Sequence, residues 1–175
     1  MGHFAHATGF CAGIYSPLAE RLHPHLRLVG MDDRGHGKTQ APADPKKIKN
    51  WNIFAHDLER FFEHLNEPVI AVGHSLGGVA SLLVAIRRPD LVRALVLIDP
   101  TILPFSWMVP WFLAKKMGLA KLVPIAYRAA RRRHVWPDRE TLLTAYRSKL
   151  PFRVWKDGFL EAYVAEGTKE THKGM

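Results

Sequence analysis

One serine, set between glycines, is the residue of this sequence best suited to chemistry. Ser75 lies in the run Gly73-His74-Ser75-Leu76-Gly77-Gly78, a G-x-S-x-G pattern. The apolar run that ends at Gly73 is typical of a strand, and the one that begins at Leu76 is typical of a helix. A serine on such a sharp turn is exposed at the end of the strand, beside the N–H groups of the helix N-terminus. The pattern predicts a nucleophilic serine, with an ordinary glycine-rich turn as the alternative.

Four short apolar runs predict the strands that would position Ser75. They cover residues 3–6, 26–32, 68–73 and 94–99. The last two are rich in Val and Ile, which is typical of strands buried on both faces of a parallel sheet. Alternation of such strands with helices favours an open, mostly parallel α/β sheet.

Three helical patterns lie between or after these runs. Ser16-Pro17 predicts an N-cap followed by a proline at the first helical position, and further helices are predicted over 50–66 and 76–88. After Asp99 the sequence predicts helices around 107–134, 138–149 and 157–166, interrupted by prolines, and no strand. We therefore divide the chain into an α/β core over residues 1–100 and a helical lid or cap over 101–175.

Three motifs in this order resemble those of the α/β-hydrolase fold family. They are His6-Ala7-Thr8-Gly9-Phe10, Asp32-Asp33-Arg34-Gly35-His36-Gly37 and the glycine-flanked Ser75 motif. The resemblance extends from Phe4 through the helical segment. It implies that the four predicted strands correspond to strands three to six of the family's longer sheet, followed by its lid.

The resemblance also implies roles for individual residues. Ser75 would be the nucleophile, and the backbone N–H groups of Leu76 and Phe10 would stabilise the oxyanion, with Cys11 as an alternative to Phe10. A simple glycine turn is the competing interpretation of the Phe10 loop. His36 would have a structural role, and His74 would point away from the serine hydroxyl to pack or to hydrogen-bond.

A serine nucleophile needs a histidine base and an acid that orients it, which in this fold follow the serine in the sequence. Only His134 and His172 follow Ser75. His134 lies among arginines, whose charge disfavours an imidazolium, and His172 lies near the chain end; we expect neither to be the base. Asp99 is the only candidate acid, and its alternative role is to cap the turn with Pro100.

The strands that would bring the usual acid and histidine have no counterpart in this sequence. We therefore expect a partial sequence from the middle of a hydrolase of about 270 to 300 residues. Because it lacks a base, we expect the 175-residue chain alone to be inactive.

The composition limits the cellular compartment and the kinds of binding partner that we expect. The chain is 47% apolar and has a single cysteine, so an internal disulfide is excluded. We expect neither export nor a membrane span, and a cytoplasmic location. The net charge is +9; residues 101–175 contribute 14 basic and 6 acidic residues, a balance of +8. No nucleic-acid-binding motif accompanies this charge, which favours a solvated basic face.

The leading hypothesis is a serine hydrolase that transfers an acyl group from an ester-like small molecule to water, without cofactor or metal. Aromatic and sulfur side chains of the lid suggest an apolar acyl pocket, with helix packing as the alternative: Phe105, Trp107, Met108, Trp111 and Phe112. A second hypothesis is a catalytically inactive binding or scaffold protein with the same fold. A third is a peripheral membrane protein that uses this basic, aromatic segment.

Overall fold

Four parallel strands form the sheet that carries the serine motif. The computed structural model describes residues 1–44, 47–102, 104–118 and 131–170. The strands are β1 (Gly2–Ala5), β2 (Leu28–Val29), β3 (Val69–His74) and β4 (Val92–Ile98), in the order β2-β1-β3-β4. All pairings are parallel, with Phe4 opposite Val72 and Val72 opposite Val96. The α/β class predicted from the sequence is confirmed, and β3 lies inside the sheet.

Helices cover one face of this sheet closely. The helices of the first part of the chain are α1 (Ser16–Leu22), α2 (Asn52–Leu65) and α3 (Leu76–Arg87). The core between the sheet and helices α2 and α3 consists of Ala5, Phe54, Ala55, Leu58, Phe62, Val69, Ala71, Leu76, Ala80 and Val84. Because alternate residues of a strand face opposite sides, Phe4, Val72 and His74 face away from this core.

The second part of the chain is helical, as expected, where it is described. Its helices are α4 (Phe105–Lys116), α5 (Arg139–Arg147), α6 (Leu150–Arg153) and α7 (Phe159–Gly167). Helix α7 packs on α1 and on the 3₁₀ turn Ala12–Tyr15, which lie on the face of the sheet opposite α2 and α3. A separate apolar cluster joins α5 to α7 and contains Trp136, Leu142, Tyr146, Leu160 and Val164. The boundary at residue 100 stays a prediction.

Several sequence-based details are wrong. The strand predicted over 26–32 is only two residues long, and the strand predicted over 94–99 is not buried on both faces. Strand β4 lies at the edge of the sheet, with Val96 46% and Ile98 40% exposed. Apolar composition indicated the strand but not its position, because position depends on which neighbours pair with it.

The helix limits also differ in places. Tyr15, and not Ser16, is the N-cap of α1, so helix α1 begins at Ser16 itself. Pro110 lies inside α4 instead of ending it, and residues 131–135 are not helical. The rest of the helix predicted over 107–134 falls partly on residues 119–130, outside the described ranges. Within the described part of the chain, no helix has both the length and the apolarity to cross a bilayer.

Candidate active site

Ser75 has a strained backbone at the junction of β3 and α3. Its φ is 53° and its ψ is −114°, a conformation that residues other than glycine rarely adopt. The N–H of Ser75 donates to the carbonyl of Ile98 at 3.0 Å, and its own carbonyl accepts from Val79 at 3.1 Å. Hydrogen bonds to the neighbouring strand β4 and to the following helix α3 thus hold the strained residue in place.

Glycines on both sides of Ser75 permit this turn. A Cβ at Gly73 would lie 2.5 Å from the carbonyl oxygen of Gly77, and a Cβ at Gly77 would overlap the carbonyl oxygen of Ala5. These obstructing atoms belong to the backbone and cannot rotate away. The G-x-S-x-G spacing therefore lets α3 approach β3 and β1 closely enough to form the turn.

The hydroxyl of Ser75 meets another hydroxyl. Ser75 Oγ lies 3.1 Å from Thr101 Oγ1, with either atom able to donate. The backbone of Leu76, predicted to donate to an oxyanion, is the first residue of α3, where helical N–H groups lack an intrahelical partner. Thr101 carried no recognisable signal in the sequence, since its contact with Ser75 arises only from the fold.

Phe10, the second predicted oxyanion donor, is differently engaged. Its N–H donates to the carbonyl of Ala7 at 3.0 Å, so this amide would have to be shared or released to bind an oxyanion. Its ring packs against those of His74, Trp155 and Tyr163, with centroids 5.4 to 6.1 Å away. The oxyanion role of Phe10 stays a prediction, as does that of its alternative, Cys11.

The Phe10 loop is anchored at its far side. The buried thiol of Cys11 donates to the carbonyl of Glu166 at 3.5 Å, and burial raises the pKa of this thiol. Asp32 accepts from the backbone N–H groups of Ala12 and Lys38, both at 2.8 Å. The two glycine-containing loops of the resemblance are therefore joined by one carboxylate.

His74 turns away from the serine hydroxyl, as predicted. Its Nδ1 lies 2.7 Å from the hydroxyl of Tyr15, which also accepts from the N–H of Ala7 at 3.3 Å. Both side chains line a mainly apolar cavity of about 330 Å³, together with Phe10, Ile98 and Trp155 among others. Burial lowers the pKa of His74, and the neighbouring charge of Asp99 opposes this shift.

Among the described residues, the predicted acid Asp99 and the downstream His134 do not form a triad with Ser75. Asp99 is exposed and has a φ of 44°, next to Pro100, whose carbonyl accepts from Ile102. His134 lies in an exposed stretch beside Arg133, and His172 falls outside the described residues. Within the described ranges, no histidine hydrogen-bonds the hydroxyl of Ser75. The role of Asp99 as the acid stays a prediction.

The loop at residues 33–37 has the structural role that the sequence suggested. The N–H of Asp33 donates to His6 Nε2 at 2.9 Å, while His6 Nδ1 faces the carbonyl of Ala7 at 2.9 Å. Arg34 forms a bidentate ion pair with Asp57 at 2.6 and 2.7 Å. His36 Nδ1 lies 3.1 Å from the carbonyl of Arg34, inside the same turn. These contacts hold the loop in place at the carboxyl end of the parallel strands, where Ser75 also lies.

An apolar cavity of about 700 Å³ lies between α4 and the core and includes Thr101 in its lining. Three of the five predicted pocket residues line it: Met108, Trp111 and Phe112. The other two, Phe105 and Trp107, do not line it and are 82% and 64% exposed. Thr101, whose hydroxyl contacts Ser75, thus belongs to this lining, which also contains Lys49 and Lys115. Among the described residues, no cluster of His, Cys, Asp and Glu could hold a metal ion.

Comparison with known proteins gives the fold of the whole chain. A family model described as alpha/beta hydrolase fold matches residues 4–152. The chain belongs to this family. Among solved structures, E-2-(acetamidomethylene)succinate hydrolase superposes with a TM-score of 0.72 at 21% identity, covering 99% of this chain and 59% of that one. The thioesterase domain from the curacin biosynthetic pathway gives 0.71 at 20% identity, covering 98% and 60%.

Curated relatives of this α/β hydrolase are named hydrolases, lipases and esterases. The chain is 34% identical over 99 residues to 2-(acetamidomethylene)succinate hydrolase of Mesorhizobium japonicum, covering 56% of this chain and 34% of that protein. It is 33% identical over 108 residues to monoglyceride lipase of Rattus norvegicus, covering 57% and 34%. The chain thus spans about a third of the length of the curated relatives it matches.

Proposed function

We propose that this α/β hydrolase transfers the acyl group of an ester-like small molecule to water through Ser75. The observation that carries the proposal is the backbone of Ser75, held at φ 53° between β3 and α3. Such strain persists only where the surroundings enforce it, and it is typical of functional sites. Here it presents a hydroxyl at the N-terminus of a helix, where a developing negative charge is stabilised.

The proposed reaction has two steps. Ser75 Oγ attacks the acyl carbon while its proton passes to a base, and the N–H of Leu76 and that of Phe10 or Cys11 donate to the oxyanion. The ester C–O bond then breaks, and the leaving oxygen takes up the proton. Water hydrolyses the acyl-serine to the acid and regenerates the hydroxyl.

The base is the component that the described residues do not supply. Thr101 is the side chain that meets Ser75 Oγ, and a threonine hydroxyl is far too weak a base at neutral pH. We therefore propose that proton removal limits the reaction in the 175-residue chain. Loss of one triad member typically leaves activity about 10³-fold or more below that of a complete triad.

The cavity under α4 supports the proposed substrate class. Apolar side chains, mainly of α3 and α4, form most of its lining, together with Lys49 and Lys115, and the lining residue Thr101 contacts Ser75. The predominantly apolar part of this lining favours an apolar acyl group. The names of the relatives, which include a monoglyceride lipase and a lipase, fit the same class.

A covalent probe tests the proposal directly. The full chain is incubated with a fluorophosphonate, and the modified peptide is identified by mass spectrometry. We expect slow modification at Ser75, none in Ser75→Ala, and unchanged modification in Ser148→Ala, which removes an exposed serine from the end of α5. Prior unfolding in urea should abolish the reaction, since the strained turn is then lost.

The inactive binding protein is the competing function, and one observation favours it. The hydroxyl of Ser75 contacts Thr101 and not a histidine. If the probe modifies no residue, or modifies Ser75 equally in the folded and the unfolded chain, Ser75 has no special reactivity and the binding function is preferred.

A further inference from the structure

Helix α4 exposes more apolar surface than any other described helix of this chain. Its most exposed apolar residues, which are 50% to 82% exposed, are Phe105, Trp107, Met108, Val109, Phe112 and Leu113. Apolar residues surround the helix on all sides, a pattern that is ordinarily buried. A continuous apolar patch of this kind on a protein surface typically marks a site of contact with another molecule or with a membrane.

Lysines gather at the C-terminal end of the same helix. Lys115 and Lys116 form its last two residues, and Lys115 Nζ donates to the carbonyl of Lys49. This contact brings the exposed Lys47 and Lys49 to the same end. Among the ion pairs of the described residues, none involves these four lysines: Lys47, Lys49, Lys115 and Lys116.

We propose that α4 docks this protein on an anionic lipid–water interface. The aromatic and aliphatic side chains of α4 enter the boundary between headgroups and acyl chains, and the four lysines contact the anionic headgroups. An interfacial helix of this kind combines apolar burial with attraction to anionic lipid. The chain's net charge of +9 adds a longer-range attraction to the same surface.

Charge selects this occupant over a second copy of the chain. Two copies joined through α4 would each carry a net charge of +9, and like charges on an interface oppose association. An anionic lipid surface supplies the opposite charge. The cavity beneath α4 supports the same partner, since Met108, Trp111 and Phe112 belong to the helix and line a mainly apolar cavity of about 700 Å³.

The docking does not depend on the chemistry of Ser75, so the two proposals fail separately. The full chain and its Ser75→Ala variant are mixed with vesicles of phosphatidylcholine containing about one-third phosphatidylglycerol, at about 0.15 M salt. The mixtures are then floated in a density gradient. Flotation separates vesicle-bound protein, which rises, from self-associated protein, which sinks. We expect both chains to float, and neither to float as well with vesicles of phosphatidylcholine alone.

Matched pairs of exposed residues assign the binding to α4. Phe105→Ser with Trp107→Ser should weaken partition by about tenfold or more, because the two rings lose apolar burial. Lys115→Gln with Lys116→Gln should weaken it by about 25-fold, at about fivefold for each lysine. The controls are Leu150→Ser with Val154→Ser, both 76% exposed, and Arg93→Gln with Lys156→Gln, also exposed. The apolar control should float like the unmodified chain. The charge control should lose less of its vesicle binding than Lys115→Gln with Lys116→Gln.

Three results would overturn the proposal. If the chain does not float at about 0.15 M salt, any attraction to anionic lipid is purely electrostatic and is screened by the salt. Equal losses in the α4 variants and their controls would show that net charge or general hydrophobicity, and not α4, is responsible. Concentration-dependent dimers without lipid, abolished by Phe105→Ser with Trp107→Ser, would assign α4 to a second copy instead.

Discussion

Burial shifts the pKa values of two ionisable side chains, Asp33 and His3, in opposite directions. Asp33 is 4% exposed and its Oδ2 has no hydrogen-bond partner among the described residues; burial, with the charges of Asp57 and Asp32, raises its pKa to about 7. His3 is fully buried against Phe61 and Phe62, and burial lowers its pKa to about 3. Both groups are thus neutral in the folded chain at mildly acidic pH.

Replacement of Asp33 by asparagine should stabilise the chain increasingly as pH rises. The folded state retains the Asp33 proton up to about pH 7, whereas the unfolded state loses it near pH 4, so the native chain loses stability across that window. An asparagine at this position has no proton to lose. Urea unfolding from pH 4 to pH 8 should show Asp33→Asn gaining about 1 kcal/mol per pH unit over the native chain, then levelling above about pH 7. A constant difference across the range would contradict this pKa.

His3→Leu should show the reverse dependence. The unfolded histidine binds a proton below about pH 6.5, but the buried ring does not until about pH 3, so the native chain loses stability as pH falls between these values. Both ring nitrogens also lack partners among the described residues. We expect leucine at this position to raise the free energy of unfolding by about 1 to 3 kcal/mol at pH 7, and by more at pH 5. Thermal or urea unfolding at the two pH values measures this, and a loss of stability at both would mean that the ring has a partner.

At the scale of single residues, the sequence predicted a feature that depends on backbone geometry. It did not predict the side-chain contacts that depend on tertiary packing. The spacing of glycines around Ser75 predicted the strained turn, because only glycine fits at Gly73 and Gly77. The contact of Ser75 with Thr101, the pairing of His74 with Tyr15 and the engagement of the Phe10 amide depend on residues brought together by the fold. A single sequence contains no local signal for such contacts.

At the scale of the element, the junction of β3 and α3 depends on a close approach of backbones. Gly77→Ala would push its Cβ against the carbonyls of Ala5 and His6, which cannot move without opening the sheet. We expect a loss of about 3 kcal/mol or more in the free energy of unfolding, measured by urea denaturation. Gly167→Ala at the end of α7 is the control, since its Cβ would find only an ordinary 3.8 Å contact with Ile14. An equal loss in both variants would show that the β3–α3 junction is not special.

The same difference applies to the predicted helices and strands: local apolar patterns predicted them, whereas their position in the sheet did not follow from the sequence. The helices α2 and α3 and the strands β1 and β3 lie within about two residues of their predicted limits, because their apolar periodicity matches their packing. The error at α1 is one residue, from a serine–proline pair that serves as the first turn instead of the cap. Strands β2 and β4 have edge positions, which composition does not encode.

At the scale of the whole molecule, the sheet ends on one side at β4. This strand is seven residues long, pairs only with β3 among the described residues, and exposes Val96 and Ile98. A long apolar edge recruits other chains. The opposite edge, β2, is only two residues long and is a weaker template.

We therefore expect the chain to self-associate through β4 as its concentration rises. Val96→Lys with Ile98→Lys should shift sedimentation velocity profiles towards monomer, because charge on an edge strand opposes pairing. Leu150→Lys with Val154→Lys adds the same charge at exposed positions outside the sheet. Equal relief by both pairs would attribute the effect to net charge, and a monomer at all concentrations would contradict edge association.

Ser75, in the function proposed for this molecule, is a nucleophile positioned by the fold, and no histidine among the described residues hydrogen-bonds its hydroxyl. Added imidazole supplies a proton acceptor from solution. Stopped-flow release of p-nitrophenol from p-nitrophenyl butyrate is followed at increasing imidazole concentration, with the imidazole-only rate subtracted. We predict an imidazole-dependent burst of about one nitrophenol per chain, with a butyryl group on Ser75 and no burst in Ser75→Ala. No burst at any imidazole concentration, or an equal burst in Ser75→Ala, would contradict a positioned nucleophile at Ser75.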